Sequence, residues 1–329
     1  MKIVCMEPLG VSAEKIATLA APLRAAGHEF VYYDKKAAYQ DTLLERVKDA
    51  EILILANQPL SAEIINACDK LKMIDIAFTG VDHVAMDAAR ARNLVVCNAA
   101  GYSTNAVAEL TFGLAISAIR NIPACNTRCH IGSTKDGLVG FELFGKTFGI
   151  IGTGAIGCRV AKIAAAFGCK VIAYSRTVKP ELEADGVKFV SLDELLRTAD
   201  FISLHVPLTA ETDKMINAAS IAKMKDGAVL INCARGGVVD SIALADALNS
   251  GKLAAAGIDV FENEPPLAVN HPLLTAKNTV TTPHVAFASK EALEARADIV
   301  FANIEAFLAN KPQNIVVHCK MKLHTLKTE

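Results

Sequence analysis

The fold is decided by the stretch Thr147-Phe148-Gly149-Ile150-Ile151-Gly152-Thr153-Gly154-Ala155-Ile156-Gly157. Its apolar half is typical of a strand covered on both faces, and an alanine-rich helical pattern follows the last glycine. Gly152, Gly154 and Gly157 fit the pattern G-x-G-x-x-G. Such glycines allow a tight turn, a close approach of backbone to a pyrophosphate and close helix–strand packing, and the helix N-terminus offers N–H groups to phosphates. The stretch therefore predicts a dinucleotide-binding turn between a strand and a helix.

Strand and helix signals alternate on both sides of this turn, without a low-complexity linker. This alternation predicts an α/β protein with two doubly wound parallel-sheet domains. We assign residues 101–287 to a dinucleotide-binding Rossmann domain. Residues 1–100 and 288–329 are assigned to one discontinuous domain, because the end of the chain, with a helix and a short strand, is predicted to return to the first sheet. Residues 121–145 are predicted to be irregular.

Composition and charge argue against several classes of protein. The chain has 329 residues, is 52% hydrophobic and carries 34 Lys and Arg against 35 Asp and Glu, a formal net charge of -1. This balance argues against general binding to nucleic acid or membrane surfaces, and no apolar run approaches the roughly 20 residues that span a bilayer. Nine cysteines, an odd number, predict reduced thiols and a cytoplasmic location. Cys125 and Cys129 lack further ligands nearby, so we predict no metal site.

Charged side chains follow three predicted strands of the second domain, just past the point where each strand ends: Arg235, Glu264 and His284. Because the carboxyl ends of parallel strands meet at one edge of a sheet, we expect these side chains to share the edge that holds the glycine-rich turn. Singly, a capping arginine, a loop charge and a buried structural histidine would be the simpler interpretations. Together they favour a catalytic site, whereas His205 is better explained by a structural or cofactor-packing role.

Five short motifs resemble signatures of the D-isomer-specific 2-hydroxyacid dehydrogenases, in that family's order and at its spacing. They are Phe78-Thr79-Gly80-Val81-Asp82-His83, His205-Val206-Pro207-Leu208-Thr209, Asn232-Cys233-Ala234-Arg235-Gly236-Gly237, Ile258-Asp259-Val260-Phe261-Glu262-Asn263-Glu264-Pro265 and Thr282-Pro283-His284-Val285-Ala286. The likeness runs through nearly the whole chain. It implies that the first domain is a flavodoxin-like substrate (catalytic) domain and that the site lies in a cleft between the domains.

The resemblance also implies a role for each catalytic residue. Arg235 would bind the carboxylate of a 2-oxo acid and polarise its carbonyl, through a planar fork that lysine cannot copy. His284 would donate a proton to the carbonyl oxygen as hydride arrives, and Glu264 would favour the charged imidazole. Asp259 would hold the nicotinamide carboxamide.

The same resemblance assigns the binding residues. The cofactor set is Thr104, Gly152, Gly154, Ala155, Ile156, Gly157, Ser175, Arg176, Thr177, His205, Val206, Pro207, Thr212, Cys233, Ala234 and Asp259. The substrate set is Asn57, Thr79, Gly80, Val81, Arg235 and His284, with the backbone N–H groups of the Gly80–Val81 pair on the substrate carboxylate.

Two departures from the family pattern bear on cofactor and substrate. At the end of the second Rossmann strand, where an acidic residue would bind the ribose 2′-hydroxyl of NAD, the chain has Ser175 and then Arg176, which can pair with a 2′-phosphate. We therefore predict that NADP(H) is preferred and that NAD(H) can bind. Asn57 stands where phosphoglycerate dehydrogenases carry a basic residue, which argues against a phosphorylated substrate.

The sequence thus predicts an oxidoreductase that transfers hydride between a nicotinamide cofactor and a small 2-oxo or D-2-hydroxy acid, such as glyoxylate or hydroxypyruvate. One alternative is an NAD-dependent dehydrogenase of a bulkier D-2-hydroxy acid. The other is a non-catalytic regulatory protein that senses dinucleotide, as the family's corepressors do. The resemblance further implies a homodimer. The chain has no tryptophan, and residues 129–144 depart from the family's usual sequence in the segment that often forms the dimer contact.

Overall fold

A computed structural model describes residues 1–264 and 267–317 of the chain. They fall into two compact units, one formed by Met1–Ser103 with the chain from Ser289 onward, and the other by Thr104–Ala288. The first unit begins with β1 (Lys2–Cys5), α1 (Ala13–Ala25), β2 (Glu29–Tyr32), α2 (Gln40–Val47), β3 (Ile52–Leu55), α3 (Ala62–Ala67), β4 (Met73–Ile76), α4 (Met86–Ala91) and β5 (Val95–Asn98). The second unit contains α5 (Thr104–Ile119), α6 (Ile122–His130), β6 (Thr147–Ile151), α7 (Ala155–Ala166), β7 (Lys170–Tyr174), α8 (Pro180–Ala184), β8 (Lys188–Phe189), α9 (Leu192–Thr198), β9 (Phe201–Leu204), α10 (Ala218–Lys223), β10 (Ala228–Asn232), a 3₁₀ turn (Gly236–Val238), α11 (Ser241–Ser250), β11 (Leu253–Ile258), α12 (Pro272–Thr275) and β12 (Thr279–Thr281). The first unit is completed by α13 (Lys290–Leu308) and β13 (Ile315–Val317).

The sheet of the first unit has the strand order β13-β5-β4-β3-β1-β2. All its neighbours pair in parallel except β13, which pairs with β5 in the antiparallel direction. The order reverses direction between β1 and β3, which makes that point the topological switch of a flavodoxin-like sheet. Every residue of β3, β4 and β5 is buried, as expected for parallel strands covered by helices on both faces.

The sheet of the second unit has the order β12-β11-β10-β9-β6-β7-β8, and all its pairs are parallel. Counted from its own first strand, β6, this is the order of a Rossmann sheet with one additional strand, and it switches direction between β6 and β9. The glycine-rich turn follows β6 and therefore lies at the switch point. The predicted α/β class with two doubly wound parallel-sheet domains is confirmed.

The second sheet is buried on both faces, which explains the continuous apolar runs in its strands. Phe148 and Ile150 belong to one core cluster and Ile151 to another, because successive residues of a strand point to opposite faces. The same alternation recurs in β9, where Phe201 lies in the first cluster and Ile202 in the second. A strand in such a position shows no alternation of apolar and polar residues in its sequence.

One element differs from the sequence prediction. Residues 122–130, predicted to be irregular, form the helix α6. None of its nine residues is buried, so it lacks the apolar stripe by which a helix facing a core can be recognised. Pro123 in its first turn has the backbone angle that starts a helix and needs no N–H partner there.

Two kinds of feature are absent from the described residues. No helix among them is both long enough and apolar enough to cross a membrane. No cluster of three or more His, Cys, Asp or Glu side chains among them could hold a metal ion.

Candidate active site

The glycine-rich turn has one glycine with open space and two without. A Cβ atom on Gly152, whose φ is +97°, would lie 2.5 Å from the carbonyl oxygen of His205, and one on Gly157 would lie 2.0 Å from the carbonyl oxygen of Gly152. A Cβ atom on Gly154 would meet no protein atom within 4 Å. Gly154 is also the N-cap of α7 and provides no side-chain cap for the first N–H groups of that helix. The turn therefore leaves room and hydrogen-bond donors for the phosphates of a dinucleotide.

The end of β7 places the predicted cofactor-selecting residues beside this turn. The N–H of Gly152 donates to the carbonyl oxygen of Tyr174 over 2.8 Å, which ties the turn to the last residue of β7. Ser175 is half-buried, whereas Arg176 and Thr177 are exposed. The guanidinium is thus accessible to a ligand group at this edge.

Beyond β9, His205 is partly buried and its Nε2 lies 2.8 Å from the hydroxyl of Ser203. Burial lowers the pKa of this imidazole to about 3. It is therefore neutral near physiological pH and does not carry a transferable charge-bearing proton. In the following loop, the hydroxyl of Thr212 donates to the carbonyl oxygen of Pro207 over 2.6 Å and so braces the turn after Val206.

Asn232, the last residue of β10, shapes the turn that presents Arg235. Its side-chain oxygen accepts from the N–H of Ala234 at 3.0 Å, and its side-chain nitrogen donates to the carbonyl oxygen of Arg235 at 2.9 Å. The side chain is 1% exposed, so these bonds form away from water. Asn232 has no role among the predictions from sequence, although an asparagine that ends a buried strand before a turn is a recognisable signal.

Gly236, the residue after Arg235, packs closely against the loop after β11. A Cβ atom on Gly236 would lie 1.9 Å from the carbonyl carbon of Phe261, so only glycine lets the loop after β10 pack on the loop after β11. The Nη1 of Arg235 donates to the carbonyl oxygen of Ala234 at 2.7 Å. Burial, the largest cause, raises the pKa of the Cys233 thiol to about 12, so this thiol stays protonated at neutral pH.

His284 and Glu264 form a direct pair. The Nδ1 atom of His284 lies 2.5 Å from Oε2 of Glu264, and both side chains are partly exposed. The other carboxylate oxygen of Glu264 accepts from the N–H of Phe261, which fixes the carboxylate on its own loop. Because Nδ1 is engaged by the carboxylate, Nε2 is the ring nitrogen that can act on a substrate.

Asp259 holds the backbone around His284. Its carboxylate is fully buried and accepts from the hydroxyl of Thr282 at 2.5 Å and from the N–H groups of Val285 and Ala286, each at 2.9 Å. Burial is the largest influence on this carboxyl and raises its pKa, against the opposing effect of these hydrogen bonds. The family resemblance implies that Asp259 holds the nicotinamide, whereas its bonds in the structure connect it to the loop of His284.

The backbone of His284 is in the left-handed region, with φ of 53°. Its N–H donates to the carbonyl oxygen of Asp259 at 2.7 Å and also to that of Thr282 at 3.1 Å. A non-glycine residue in this region is strained and persists only where its surroundings hold it. Asp259 therefore acts from both its side chain and its backbone to keep the imidazole in place.

The remaining predicted substrate residues belong to the first unit and lie at the carboxyl edge of its own sheet. Asn57 follows β3 and is exposed, and Thr79, Gly80 and Val81 follow β4. The carbonyl oxygen of Thr79 accepts from the side chain of Asn98 at 2.8 Å. No backbone carbonyl of the described residues accepts a hydrogen bond from the N–H of Gly80 or Val81. Such a pair of adjacent N–H groups can bind a carboxylate.

In the second unit, the loops after β10, β11 and β12 bring together a guanidinium, a carboxylate and an imidazole at one sheet edge, which also carries the glycine-rich turn. This set can bind an anion, move a proton and hold the phosphates of a dinucleotide. Those are the requirements of hydride transfer to the carbonyl of an anionic substrate.

Comparisons with known proteins agree with this chemistry. A family model described as "D-isomer specific 2-hydroxyacid dehydrogenase, NAD binding domain" matches residues 112–286. A D-3-phosphoglycerate dehydrogenase of Methanocaldococcus jannaschii is 39% identical over 321 residues, which cover 96% of this chain but 59% of that protein. A hydroxypyruvate reductase of Blautia hydrogenotrophica is 37% identical over 303 residues, covering 89% of this chain and 93% of that protein.

A solved structure extends the likeness to the fold. It is an acyclic imino acid reductase in complex with NADPH and D-Arg, with 30% sequence identity and a TM-score of 0.86. The match covers 96% of this chain and 100% of that one.

Proposed function

Because the chain belongs to the D-isomer-specific 2-hydroxyacid dehydrogenases, oxidoreductases that use a nicotinamide cofactor, we propose that it is an NADP(H)-preferring reductase of small 2-oxo acids such as glyoxylate or hydroxypyruvate. The observation that carries this proposal is the pair of His284 Nδ1 and Glu264 Oε2 at 2.5 Å. A histidine held in this way on the sheet edge of a dinucleotide-binding turn is suited to protonate a carbonyl oxygen while its carbon is reduced.

In the proposed mechanism, each side chain has a distinct task. The bound nicotinamide nucleotide supplies the hydride. Arg235 binds the carboxylate of the 2-oxo acid through two parallel N–H donors and draws electron density from the neighbouring carbonyl. His284 donates the Nε2 proton to the carbonyl oxygen, and Glu264 stabilises the cationic ring before the transfer. In the oxidative direction, His284 accepts the hydroxyl proton.

A panel assay tests the proposal. The purified protein is mixed with NADPH or NADH and with glyoxylate, hydroxypyruvate, pyruvate and phenylpyruvate, and the absorbance of the reduced cofactor is followed. We expect the highest kcat/KM for the smaller acids. Highest turnover with phenylpyruvate would support a dehydrogenase of bulkier acids, and no turnover with any acid would support a dinucleotide sensor.

The preference for NADP(H) is supported by Ser175 and the exposed Arg176 at the end of β7. A serine there does not repel a 2′-phosphate, and an arginine fork can pair with one. We expect Arg176→Ala to lower kcat/KM for NADPH by tenfold or more with little effect on NADH. A kcat/KM for NADH well above that for NADPH in the unmodified protein would contradict the preference.

We also propose that the protein is a cytoplasmic homodimer. Large apolar side chains are exposed on the segment between α5 and β6, among them Ile131 at 73%, Val139 at 86% and Phe144 at 74%. Several large apolar side chains exposed on one segment are better explained by contact with a second copy than by solvent. The cytoplasmic location is supported by free thiols at all the described cysteines. Light scattering on Val139→Asp should show a shift from dimer toward monomer.

A further inference from the structure

Glu7 is a fully buried carboxylate that lies just past the end of β1. Its Oε1 accepts from the backbone N–H groups of Ala56 and Gln58, each at 2.7 Å. Asn57, a predicted substrate residue, lies between these two donors. Among the described residues, Oε2 has no hydrogen-bond partner and lies 3.5 Å from the Nζ atom of Lys36. Glu7 therefore holds the loop after β3 while placing a negative charge beneath it.

Lys36 connects this buried charge to the surface. Its Nζ donates to the side-chain oxygen of Asn57, and the lysine side chain is 49% exposed. Its positive charge is therefore matched by Glu7 before any ligand arrives. Arg296 also interacts electrostatically with Glu7, but Arg296 is 3% exposed and donates to the carbonyl oxygen of Leu9 at 2.6 Å. It is thus held in the interior and does not reach the loop surface.

The position of these residues in the sheet indicates a ligand site. Glu7 joins β1 to β3, the two neighbouring strands between which the order of the first sheet reverses. In open α/β sheets, ligands bind at the carboxyl edge at such a switch point. The predicted carboxylate-binding loop follows β4, the next strand, so the loops after β3 and β1 are about 5 and 10 Å from it at the usual strand spacing. The shorter of these distances, that to the loop after β3, is one that the far end of a three-carbon acid can span.

We propose that Glu7, Lys36 and Asn57 form the subsite for the far end of the substrate, and that Glu7 selects an uncharged polar group there over a phosphate. The inference rests on the function proposed above. Asn57 and the Lys36 ammonium can hydrogen-bond a hydroxyl group. A phosphate would require an unmatched positive charge, and Glu7 cancels the one that Lys36 brings. Glu7 is thus a positioning and selecting residue that need not touch the substrate.

The test compares hydroxypyruvate with 3-phosphohydroxypyruvate in the full-length enzyme. The unmodified protein should show the higher kcat/KM for hydroxypyruvate. Glu7→Gln keeps an oxygen for the two backbone N–H groups but removes the charge, so Lys36 should become an unmatched cation. We expect the ratio of kcat/KM for the phosphorylated acid to that for hydroxypyruvate to rise about tenfold, the effect of one partly exposed charge at short range.

Matched variants separate charge from packing. In the double variant Glu7→Gln/Lys36→Met, the ratio should return to near that of the unmodified protein, because the unmasked cation is gone. Lys35→Met, at the adjacent lysine, should leave the ratio unchanged. A ratio within twofold of the unmodified protein in Glu7→Gln, or its persistence at the raised value in the double variant, would overturn the proposal. If Glu7→Gln does not fold, Lys36→Met alone decides. Glu7 is then an unmatched negative charge, which should lower the ratio. An unchanged or raised ratio would contradict the proposal.

Failure of the proposed function would be recognised separately. If no 2-oxo acid is turned over with either cofactor, the reductase is refuted, and the subsite is tested by titration calorimetry with D-glycerate and 3-phospho-D-glycerate. Glu7→Gln should then raise the affinity for the phosphorylated acid relative to D-glycerate by about tenfold. An unchanged relative affinity would refute the subsite.

Discussion

In the glycine-rich turn, a glycine-to-alanine substitution should affect either protein stability or cofactor binding, depending on which glycine is replaced. Gly154 has extended backbone, with φ of -67° and ψ of -172°, and its Cβ position is free of protein atoms within 4 Å. Gly154→Ala should gain roughly 0.4–1 kcal/mol from the less flexible unfolded chain and lose a similar amount because alanine is a poor N-cap. We therefore expect its free energy of unfolding to stay within about 1 kcal/mol of the unmodified protein.

The same methyl group should weaken cofactor binding strongly. It would occupy the space through which the backbone approaches a pyrophosphate, and forcing one carbon into a close contact costs about 1–3 kcal/mol. This corresponds to an increase in the Kd for NADPH of about 5- to 150-fold. The matched control is Gly157→Ala, whose Cβ would lie 2.0 Å from the carbonyl oxygen of Gly152. It should lose stability by about 1–3 kcal/mol or more, so that Tm falls by several degrees.

The two variants are compared by urea unfolding without cofactor and by fluorescence titration with NADPH. We expect Gly154→Ala to change mainly the Kd for NADPH and Gly157→Ala to change mainly the unfolding midpoint. Binding of NADPH by Gly154→Ala within twofold of the unmodified protein, or a loss of stability in Gly154→Ala equal to that in Gly157→Ala, would refute this expectation.

Three further predictions concern named polar groups. His284→Ala should lower kcat by a hundredfold or more while the Kd for NADPH changes little, and an equal loss in both would indicate a structural histidine. Asp259→Asn leaves the buried N–H of Ala286 facing an amide donor, so urea unfolding should show a loss of about 1–3 kcal/mol, and unchanged stability would contradict the assigned bonds. Burial raises the pKa of Asp75 to about 8, so its contribution to stability is full below about pH 4 and is lost as the pH rises to 8. In the unmodified protein, the free energy of unfolding should therefore fall by about 1 kcal/mol per pH unit over this range, and Asp75→Asn should remove this fall. Parallel curves of Tm against pH for the two proteins would contradict this role of Asp75.

The parts of the fold that follow a local period could be predicted from the sequence. The buried strands and the glycine turn depend on residues close together in the chain, and the parallel sheets follow from the alternation of strands and helices. Helix α6 could not be recognised in this way, because none of its residues faces a core. An exposed helix beside an irregular segment carries no apolar stripe, and Pro123 alone does not distinguish it from a loop.

The charged residues of the candidate site could be predicted from the sequence. The groups that hold those residues in place could not. Arg235, Glu264 and His284 were identified because each follows a strand of one parallel sheet. The bonds of Asp259 to residues more than twenty positions away depend on the path of the loop after β12, which no periodic pattern encodes. For the same reason, Glu7 remained unnoticed, since its partners at residues 56 and 58 become neighbours only when β1 pairs with β3.

Each of the two units has a buried carboxylate in an equivalent position, just after a parallel strand. Asp259 and Glu7 each follow a parallel strand, each is fully buried, and each accepts two backbone N–H groups from the loop after another strand. Placing a charge in the interior is costly unless hydrogen bonds compensate it, so these two positions fix loops that the sheets alone would leave free. In the second unit the fixed loop carries His284, and in the first it carries Asn57. Loss of either carboxylate should therefore affect function through the neighbouring loop, and replacing it with an amide tests the loop more sharply than replacing any exposed residue on it.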